Sequence, residues 1–179
     1  MKGSTVNMND LVKEAKAKNP AAFTALMQQH MQSMYKVGKA ILRSDEDVAD
    51  ALQDTILTCW EKLYQLKEEK YFKTWLIRIL VNKCNDIIHK ENMLQTCETI
   101  VEEGRYDNAY ENVEWKEVLY GLDERYRLIL LLYYVERLNT KEIAKILNMP
   151  EATVRTRLAR GRKKLSESYL GKEEGGVSI

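Results

Sequence analysis

Segment 139–165 limits the possible folds more than any other part of the chain. It reads NTKEIAKILNMPEATVRTRLARGRKKL, which contains two helix signatures separated by a short corner. Asn139 and Glu142 have the spacing of a capping box at the start of the first helix. Pro150 stands where a second helix should begin, because proline is favoured at a helix start. These signals predict a helix-turn-helix with helices over 140–147 and 151–167.

The second of these helices combines one apolar stripe with a high positive charge. Segment 141–165 carries eight Lys or Arg residues against two Glu, whereas the whole chain has a net charge of +1. A basic amphipathic helix is often only a solvated face, but after such a turn it also suits a DNA major groove. The predicted inward stripe is Val154, Leu158, Gly161 and Leu165. The outward positions, predicted to contact DNA, are Arg155, Arg157, Arg160, Arg162, Lys163 and Lys164.

Composition favours an all-α chain of one domain or two small ones. Two prolines and eight glycines interrupt 179 residues, and no strand-like alternation stands out. No apolar run reaches the length needed to span a bilayer, and the N-terminus lacks the core of a signal peptide. We therefore expect a cytoplasmic protein that does not insert into the membrane.

The residues that usually bind metals or catalyse reactions are sparse and scattered. Cys59, Cys84 and Cys97 have no CxxC spacing, and His30 lies far from His89. Glycine-rich phosphate loops, nucleophile elbows and HExxH motifs do not occur in the sequence. The sequence therefore predicts no enzyme activity, no cofactor and no metal site, and it places Cys59 and Cys84 in the core.

Charge and capping signals divide the chain into two helical units. Helices are predicted over 9–18, from Asn19-Pro20 to about Leu42, from the Ser44 cap to about Leu66, and from about 73 to Lys90. Residues 91–117 then carry eight Asp or Glu against two basic residues, which suggests a linker. The predicted order is a first domain over 9–90, a flexible acidic linker over 91–112, a second domain over 113–170 and a tail over 171–179. In the second domain, helices over 113–120 and 123–137 precede the helix-turn-helix.

Helix 72–90 has an apolar face and an unusual polar face. The predicted core arc is Leu76, Ile77, Leu80, Val81, Cys84, Ile87 and Ile88. The opposite arc holds Trp75, Arg78, Asn82, Asn85 and His89, flanked by Phe72, Lys83 and Lys90. An aromatic ring among amides and basic groups is typical of a surface that holds unpaired bases. The alternative is that Trp75 packs beneath a neighbouring helix and Arg78 is only solvated.

Helix 45–66 carries the opposite charge. Its predicted buried stripe is Val48, Leu52, Ile56, Cys59 and Leu63. An acidic stripe, Asp47, Asp50, Asp54 and Glu61 with Gln53 beside it, runs along another face. Such a stripe repels DNA and would suit a basic protein surface, although it is also explained as a solubilising face.

The two halves together resemble bacterial RNA polymerase sigma factors of the extracytoplasmic-function group of the sigma-70 family. The first half carries the resemblance in DEDVADALQDTIL (45–57) and YFKTWLIRILVNKCNDIIHK (71–90). The second half carries it in LDERYRLILLLYYVERLNTKEIAKILNMPEATVRTRLARGRKKL (122–165). Both blocks occur in the family's order and are joined by a short linker.

The resemblance implies a division of labour between the two domains. The first would be sigma region 2, and its residues Asp47, Asp50, Gln53 and Asp54 would dock on the clamp helices of the polymerase β′ subunit. Phe72, Lys73, Trp75, Asn82, Lys83 and Asn85 would open and read the −10 element, and Arg78 is added to this set because it lies on the same polar arc. The second would be region 4, which reads the −35 element and meets the β flap. Arg155, Thr156 and Arg160 would face the groove, and Ala152 and Thr153 would lie near the helix start. Arg157 is added to the −35 set as an outward basic position of the same helix. Arg162, Lys163 and Lys164 would mostly contact phosphates.

The resemblance also implies control by an anti-sigma factor, often membrane-bound, and a role in envelope stress. One residue departs from the family pattern, because glycine stands at 161 where alanine is common. Glycine costs about 1 kcal/mol in a helix interior, which predicts a loosened or bent helix end there.

Two other classes of protein fit parts of the sequence. A stand-alone helix-turn-helix regulator would explain 113–170 and leave 45–90 as a sensor or dimerisation domain. It would need neither the polar face of helix 72–90 nor the acidic stripe, and would bind duplex DNA as a symmetric dimer. A nucleic-acid enzyme would need a convergent metal or carboxylate cluster, for which the sequence offers only the acidic stripe.

Overall fold

The computed structural model describes residues 7–95 and 121–174, and every regular element within these two ranges is helical. This confirms the all-α fold. Contacts divide the chain into two compact units, Met1–Val101 and Glu102–Ile179. In the first unit the helices are α1 (Met8–Lys16), α2 (Pro20–Ile41), α3 (Asp45–Lys62) and α4 (Phe72–Gln95). In the second they are α5 (Glu124–Leu130), α6 (Thr140–Leu147) and α7 (Glu151–Glu174). None of these helices is both long and apolar enough to cross a membrane.

Two helices of the first unit begin at the predicted caps. The Asn19 side chain accepts hydrogen bonds from the backbone N–H groups of Ala21 and Ala22, at 3.0 and 3.2 Å. The Ser44 hydroxyl accepts from two N–H groups in the first turn of α3, at 3.1 and 3.4 Å. Each cap satisfies donors that the helix itself leaves open and contributes about 1 kcal/mol.

The core of the first unit lies where α2, α3 and α4 pack on one another, with α1 against α2. Five residues of the predicted α4 arc are buried, namely Leu76, Ile77, Leu80, Val81 and Cys84. The arc's last two members, Ile87 and Ile88, are only half-buried.

The buried stripe of α3 is rotated from its predicted position. Val48, Cys59 and Leu63 are buried as expected, but Leu52 and Ile56 are only half-buried. Ala51 and Thr55 occupy the centre of the interface instead. Small side chains there allow the neighbouring helices to approach closely, and the Thr55 hydroxyl is satisfied by the Ala51 carbonyl at 2.6 Å.

Helix ends were predicted less well than helix starts. α3 ends at Lys62, and a 3₁₀ turn over Leu63–Gln65 takes its place before a second one over Glu69–Tyr71. Leu63 and Leu66 are buried, so the apolar pattern continues after the helix has ended. α4 continues to Gln95, five residues past the predicted end, and the predicted linker therefore begins within a helix.

The second unit is built on α7, against which both α5 and α6 pack. The most deeply buried of its described residues are Ile129, Leu130, Leu132, Ile143, Ile146 and Val154. The predicted helix 123–137 is α-helical only to Leu130 and continues as a π turn over Leu131–Val135. α7 runs to Glu174, so the first residues of the predicted tail are helical. The predicted helix 113–120 and linker residues 96–112 lie outside the described residues.

Gly161 has a packing role that the sequence did not reveal. It is buried in α7, and a Cβ atom added there would lie 3.2 Å from Leu130 Cδ1 and 3.4 Å from Tyr126 Cβ. α7 continues through this position as a helix, so the predicted loosening is not observed. The glycine allows α5 to approach α7 closely, which accounts for its place in a helix interior.

Candidate nucleic-acid interface

The helix-turn-helix begins with the predicted capping box. The Asn139 side chain accepts from the Glu142 N–H at 3.0 Å, and the Asn139 N–H donates to Glu142 Oε2 at 2.9 Å. Asn148 ends α6 in the left-handed region, at φ 49°, and the following N–H, of Met149, donates to the Ala144 carbonyl at 3.1 Å. Asparagine tolerates this conformation better than most residues, which explains the sharp corner between α6 and α7.

α7 presents the predicted DNA-contacting residues on its solvent side. Val154, Leu158 and Gly161 are buried and Leu165 is half-buried, as the predicted stripe required. The exposed candidates are Ala152, Arg155, Thr156, Arg160, Arg162, Lys163 and Lys164, while Thr153 and Arg157 are half-buried.

Several α7 side chains have partners within the unit. Arg157 Nη1 lies 3.9 Å from the Met149 sulfur, so this arginine leans toward the turn. Lys163 lies 3.9 Å from Glu167, and Lys164 Nζ lies 5.7 Å from the centroid of a tyrosine ring on α5. These contacts are weak enough for DNA phosphates to replace them.

Arg155 has a close partner on its own helix. Its Nη2 donates to Glu151 Oε1 at 2.7 Å, and the Thr140 hydroxyl donates to the same oxygen at 2.6 Å. The hydrogen bond from Thr140, then that from Arg155, lowers the pKa of Glu151. Glu151 therefore joins the first residue of α6 to an exposed arginine on α7.

The polar face of α4 is largely accessible. Arg78, Asn82 and Asn85 are exposed, and Lys73, Trp75 and Lys83 are half-buried. The structure thus places all six on or beside one surface of the first unit. His89 and Lys90 are also exposed further along the helix.

Phe72 does not belong to that accessible surface. Its side chain is 2% exposed, and its ring centroid lies 5.3 Å from that of His30 and 6.3 Å from that of Trp75. A ring enclosed in this way has no face available for a base. The burial argues against the predicted DNA contact and makes Phe72 a support for α2 and for Trp75.

Two exposed aromatic residues were not among the predicted site residues. Tyr64 is 65% exposed and Tyr71 is 43% exposed, and they flank the charged connection between α3 and α4, which holds two Lys and two Glu residues. Lys70 Nζ lies 4.9 Å from the Tyr71 ring centroid. Lys16 of α1 holds the connection in place by donating to the Leu66 carbonyl at 2.8 Å. Two tyrosines on either side of a charged segment were the available sequence signal.

The acidic stripe lies on an exposed face of α3. Asp50, Gln53, Asp54 and Glu61 are exposed and Asp47 is half-buried. Asp54 Oδ2 lies 4.0 Å from Lys83 Nζ of α4, so the acidic stripe and the polar face of α4 adjoin. Partial burial, followed by the nearby Asp47 carboxylate, raises the pKa of Glu91. Leu57, 62% exposed within the same face, was not predicted.

Two family models match the chain, one in each unit. Sigma-70 region 2 matches residues 26–92 and sigma-70 region 4 matches residues 113–165, about two thirds of the chain together. RNA polymerase sigma factor SigV of Bacillus subtilis is 28% identical over 158 residues, covering 86% of this chain and 94% of SigV. ECF RNA polymerase sigma factor SigM of the same species is 29% identical, covering 80% and 93%. The chain belongs to the extracytoplasmic-function sigma factors of the sigma-70 family.

Solved structures support the fold of this sigma factor. CnrH, in a complex with the cytosolic domain of CnrY, aligns with a TM-score of 0.67 at 23% identity, over 92% of this chain and 97% of that one. Sigma factor RpoE of Bartonella quintana, in a complex with the anti-sigma factor NepR, aligns with a TM-score of 0.70 at 19% identity, over 81% and 94%. At these identities the likeness establishes the architecture.

Cys59 and Cys84 are core residues, as predicted. Cys59 and Cys84 are both fully buried, and burial raises the pKa of each thiol to about 12. Within the part of the chain that the structure describes, His, Cys, Asp and Glu side chains form no group of three able to hold a metal ion.

Proposed function

We propose that the sigma factor docks on the clamp helices of the polymerase β′ subunit through the acidic stripe of α3. Asp47, Asp50, Gln53 and Asp54 would form the contact, since exposed carboxylates repel DNA and attract a basic protein surface. The observation that carries this proposal is the adjacency of the stripe to the polar face of α4, at 4.0 Å between Asp54 and Lys83. A domain so arranged brings polymerase and promoter to neighbouring surfaces.

The polar face of α4 would then open and read the −10 element. Lys73, Arg78 and Lys83 supply positive charge, Asn82 and Asn85 supply amides for base edges, and Trp75 offers part of a ring for stacking. We leave Phe72 out of this surface because its ring is enclosed. The half-burial of Trp75 makes it both a packing residue and a candidate contact.

α7 would read the −35 element as duplex DNA. Arg155, Thr156 and Arg160 would contact bases, with Ala152, Thr153 and Arg157 close to the groove and Arg162, Lys163 and Lys164 on phosphates. Arg155→Ala should reduce discrimination between the preferred and scrambled −35 sequences by about 1–3 kcal/mol. Equal losses on both sequences would leave Arg155 only a phosphate contact.

The family membership and the shared architecture also support proposals about regulation and location. We infer that the protein is not an enzyme, that its second unit meets the polymerase β flap, and that it works in the cytoplasm with the polymerase. RpoE of Bartonella quintana binds an anti-sigma factor, and this chain has the same architecture, which supports control by an anti-sigma factor here. We place its activity in a stress response, as its family resemblance implies.

The docking proposal is tested with a double charge reversal, Asp50→Arg/Asp54→Arg. Both residues are exposed, and the only ion pair lost among the described residues is the 4.0 Å contact with Lys83, so the unit should stay folded. Like charges across an interface cost several kcal/mol, so affinity for core polymerase should fall by roughly 100-fold or more. The measurement is the dissociation constant with fluorescently labelled full-length protein.

Asp10→Arg/Glu14→Arg is the matched control. These residues are exposed on α1 with the same four-residue spacing, so the variant has the same charge change on another helix. It should bind polymerase like the unchanged protein. Equal weakening by both variants would mean a long-range charge effect, and unchanged binding by the α3 variant would remove the acidic stripe from the interface. Tight duplex binding as a dimer without polymerase would instead support a stand-alone regulator.

A further inference from the structure

The corner of the helix-turn-helix contains a three-residue hydrogen-bonded chain that links its two helices. Glu151 Oε1 accepts from the Thr140 hydroxyl at 2.6 Å and from Arg155 Nη2 at 2.7 Å. Thr140 is the first residue of α6, Glu151 is the first of α7, and Arg155 lies one turn later. The Glu151 side chain is 28% exposed and that of Arg155 is 66% exposed. The chain of hydrogen bonds therefore runs from the half-buried Thr140 hydroxyl to the solvent-facing Arg155 guanidinium.

Stability alone does not explain this arrangement. An exposed Glu–Arg pair four residues apart on a helix is worth only about 0.3–0.5 kcal/mol, because solvent screens it and both side chains must be ordered. The hydrogen bond from Thr140 orients the Glu151 carboxylate independently of Arg155. The hydrogen bonds from Thr140 and Arg155 favour the ionised carboxylate, and they lower the pKa of Glu151. Arg155 then faces an oriented acceptor in place of a mobile one.

An arginine held in this way retains most of its hydrogen-bonding capacity. The guanidinium has five N–H donors in a planar fork, and the bond to Glu151 uses one of them. Recognition of guanine in the major groove needs two donors in one plane at a defined angle. Fixing one edge of the fork therefore restricts the plane in which the remaining donors lie.

We propose that Thr140 and Glu151 are positioning residues that orient the Arg155 guanidinium for reading one base pair of the −35 element. The inference rests on the proposed base-reading role of Arg155 and adds two residues from outside the DNA-contacting set. Its simplest competitor is that Glu151 only complements the positive end of the α7 dipole. The two accounts differ at Thr140, since its hydroxyl orients the carboxylate but adds no charge.

Loss of this orientation should have a limited and local effect. An untethered arginine must be ordered when it binds its base, which corresponds to a loss of about 2- to 12-fold in affinity. A wrong base pair does not order the arginine, so binding to it should change little. Discrimination should therefore fall by that factor at one position of the −35 element and remain unchanged at the others.

The test uses the full chain assembled with core RNA polymerase and a duplex library randomised over the −35 segment. The library is built upstream of the −10 region of a promoter that the unchanged protein transcribes, and bound fragments are sequenced. Arg155→Ala first identifies the base pair that Arg155 reads. Thr140→Val and Glu151→Gln should both weaken preference at that same base pair, whereas Thr140→Ser, which keeps the hydroxyl, should retain it. Thermal unfolding midpoints are measured for each variant.

The possible outcomes separate the two levels of the argument. If Arg155→Ala abolishes the base preference at one position of the −35 element and Thr140→Val leaves it unchanged, the base-reading role of Arg155 stands and the positioning role is overturned. If Thr140→Val weakens the base preference equally at all positions and also lowers the unfolding midpoint, the role of Thr140 is structural and the proposal also fails. If Arg155→Ala changes no position, both the positioning role and the proposed function of Arg155 are overturned.

Discussion

Phe72 provides a sharp test of the division between core and DNA-binding surface in the first unit. Its side chain is 2% exposed and packs near the rings of His30 and Trp75. Truncation of a buried phenylalanine to alanine costs about 3–5 kcal/mol. In a domain of this size, 1 kcal/mol corresponds to roughly 4–8 °C in unfolding temperature. Phe72→Ala should therefore lower the unfolding midpoint of the first unit by more than about 12 °C.

Phe72→Leu distinguishes packing from base stacking. Leucine retains much of the buried volume and should cost only about 1–2 kcal/mol, but it has no aromatic face. Promoter opening is followed by the fluorescence of 2-aminopurine in the −10 element, at a temperature where the variant is folded. Opening by Phe72→Leu should stay within about twofold of the unchanged protein, whereas exposed Asn82→Ala should keep its stability, to within about 0.5 kcal/mol, and open slowly. A folded Phe72→Leu protein that opens DNA tenfold more slowly would refute the reasoning.

Three further predictions follow from the packing. In a Cys97→Ser background at pH 8, Cys59 and Cys84 should resist alkylation by iodoacetamide until the protein is unfolded by urea. Burial raises both thiol pKa values to about 12, and the thiolate is the reactive form. Rapid labelling of the native protein, measured by mass spectrometry, would contradict this. Gly161→Ala should change the free energy of unfolding by denaturant by less than about 1 kcal/mol, because the gain in helix propensity offsets a 3.2 Å contact with Leu130. Gly161→Val should cost about 1–3 kcal/mol. Equal effects of the two variants would argue against a close approach of α5 to α7 at this position. Asn139→Ala should destabilise the second unit by about 1 kcal/mol in thermal unfolding, with Asn139→Ser close to the unchanged protein, and no difference between the two would mean that the capping box contributes little.

Signals contained within a few residues were predicted correctly. The caps at Asn19, Ser44 and Asn139 act on N–H groups two or three positions away, so their effect does not depend on the rest of the fold. The helix-turn-helix corner is local in the same sense. Helix ends were harder to predict, because the apolar pattern at Leu63 and Leu66 continues through a 3₁₀ turn after α3 has ended.

The candidate site was predicted in its residue types but only partly in its geometry. Arg78, Asn82 and Asn85 lie exposed as the periodicity of α4 required. The same periodicity could not show that α2 covers Phe72, because His30 is more than forty positions away in the sequence. It also could not show that Asp54 of the acidic stripe adjoins Lys83 of the polar face.

By itself, the sequence determined the all-α class, the division into two units, the helix starts and the charge of each face. These properties depend on interactions within one or two helical turns and on composition. Tertiary structure alone decided that Ala51 and Thr55 line the centre of the α3 interface, that Gly161 admits α5, and that Thr140 and Glu151 meet beside Arg155. Each depends on which helices pack together and at what distance, and an amphipathic pattern leaves that choice open because it specifies a buried face without its partner.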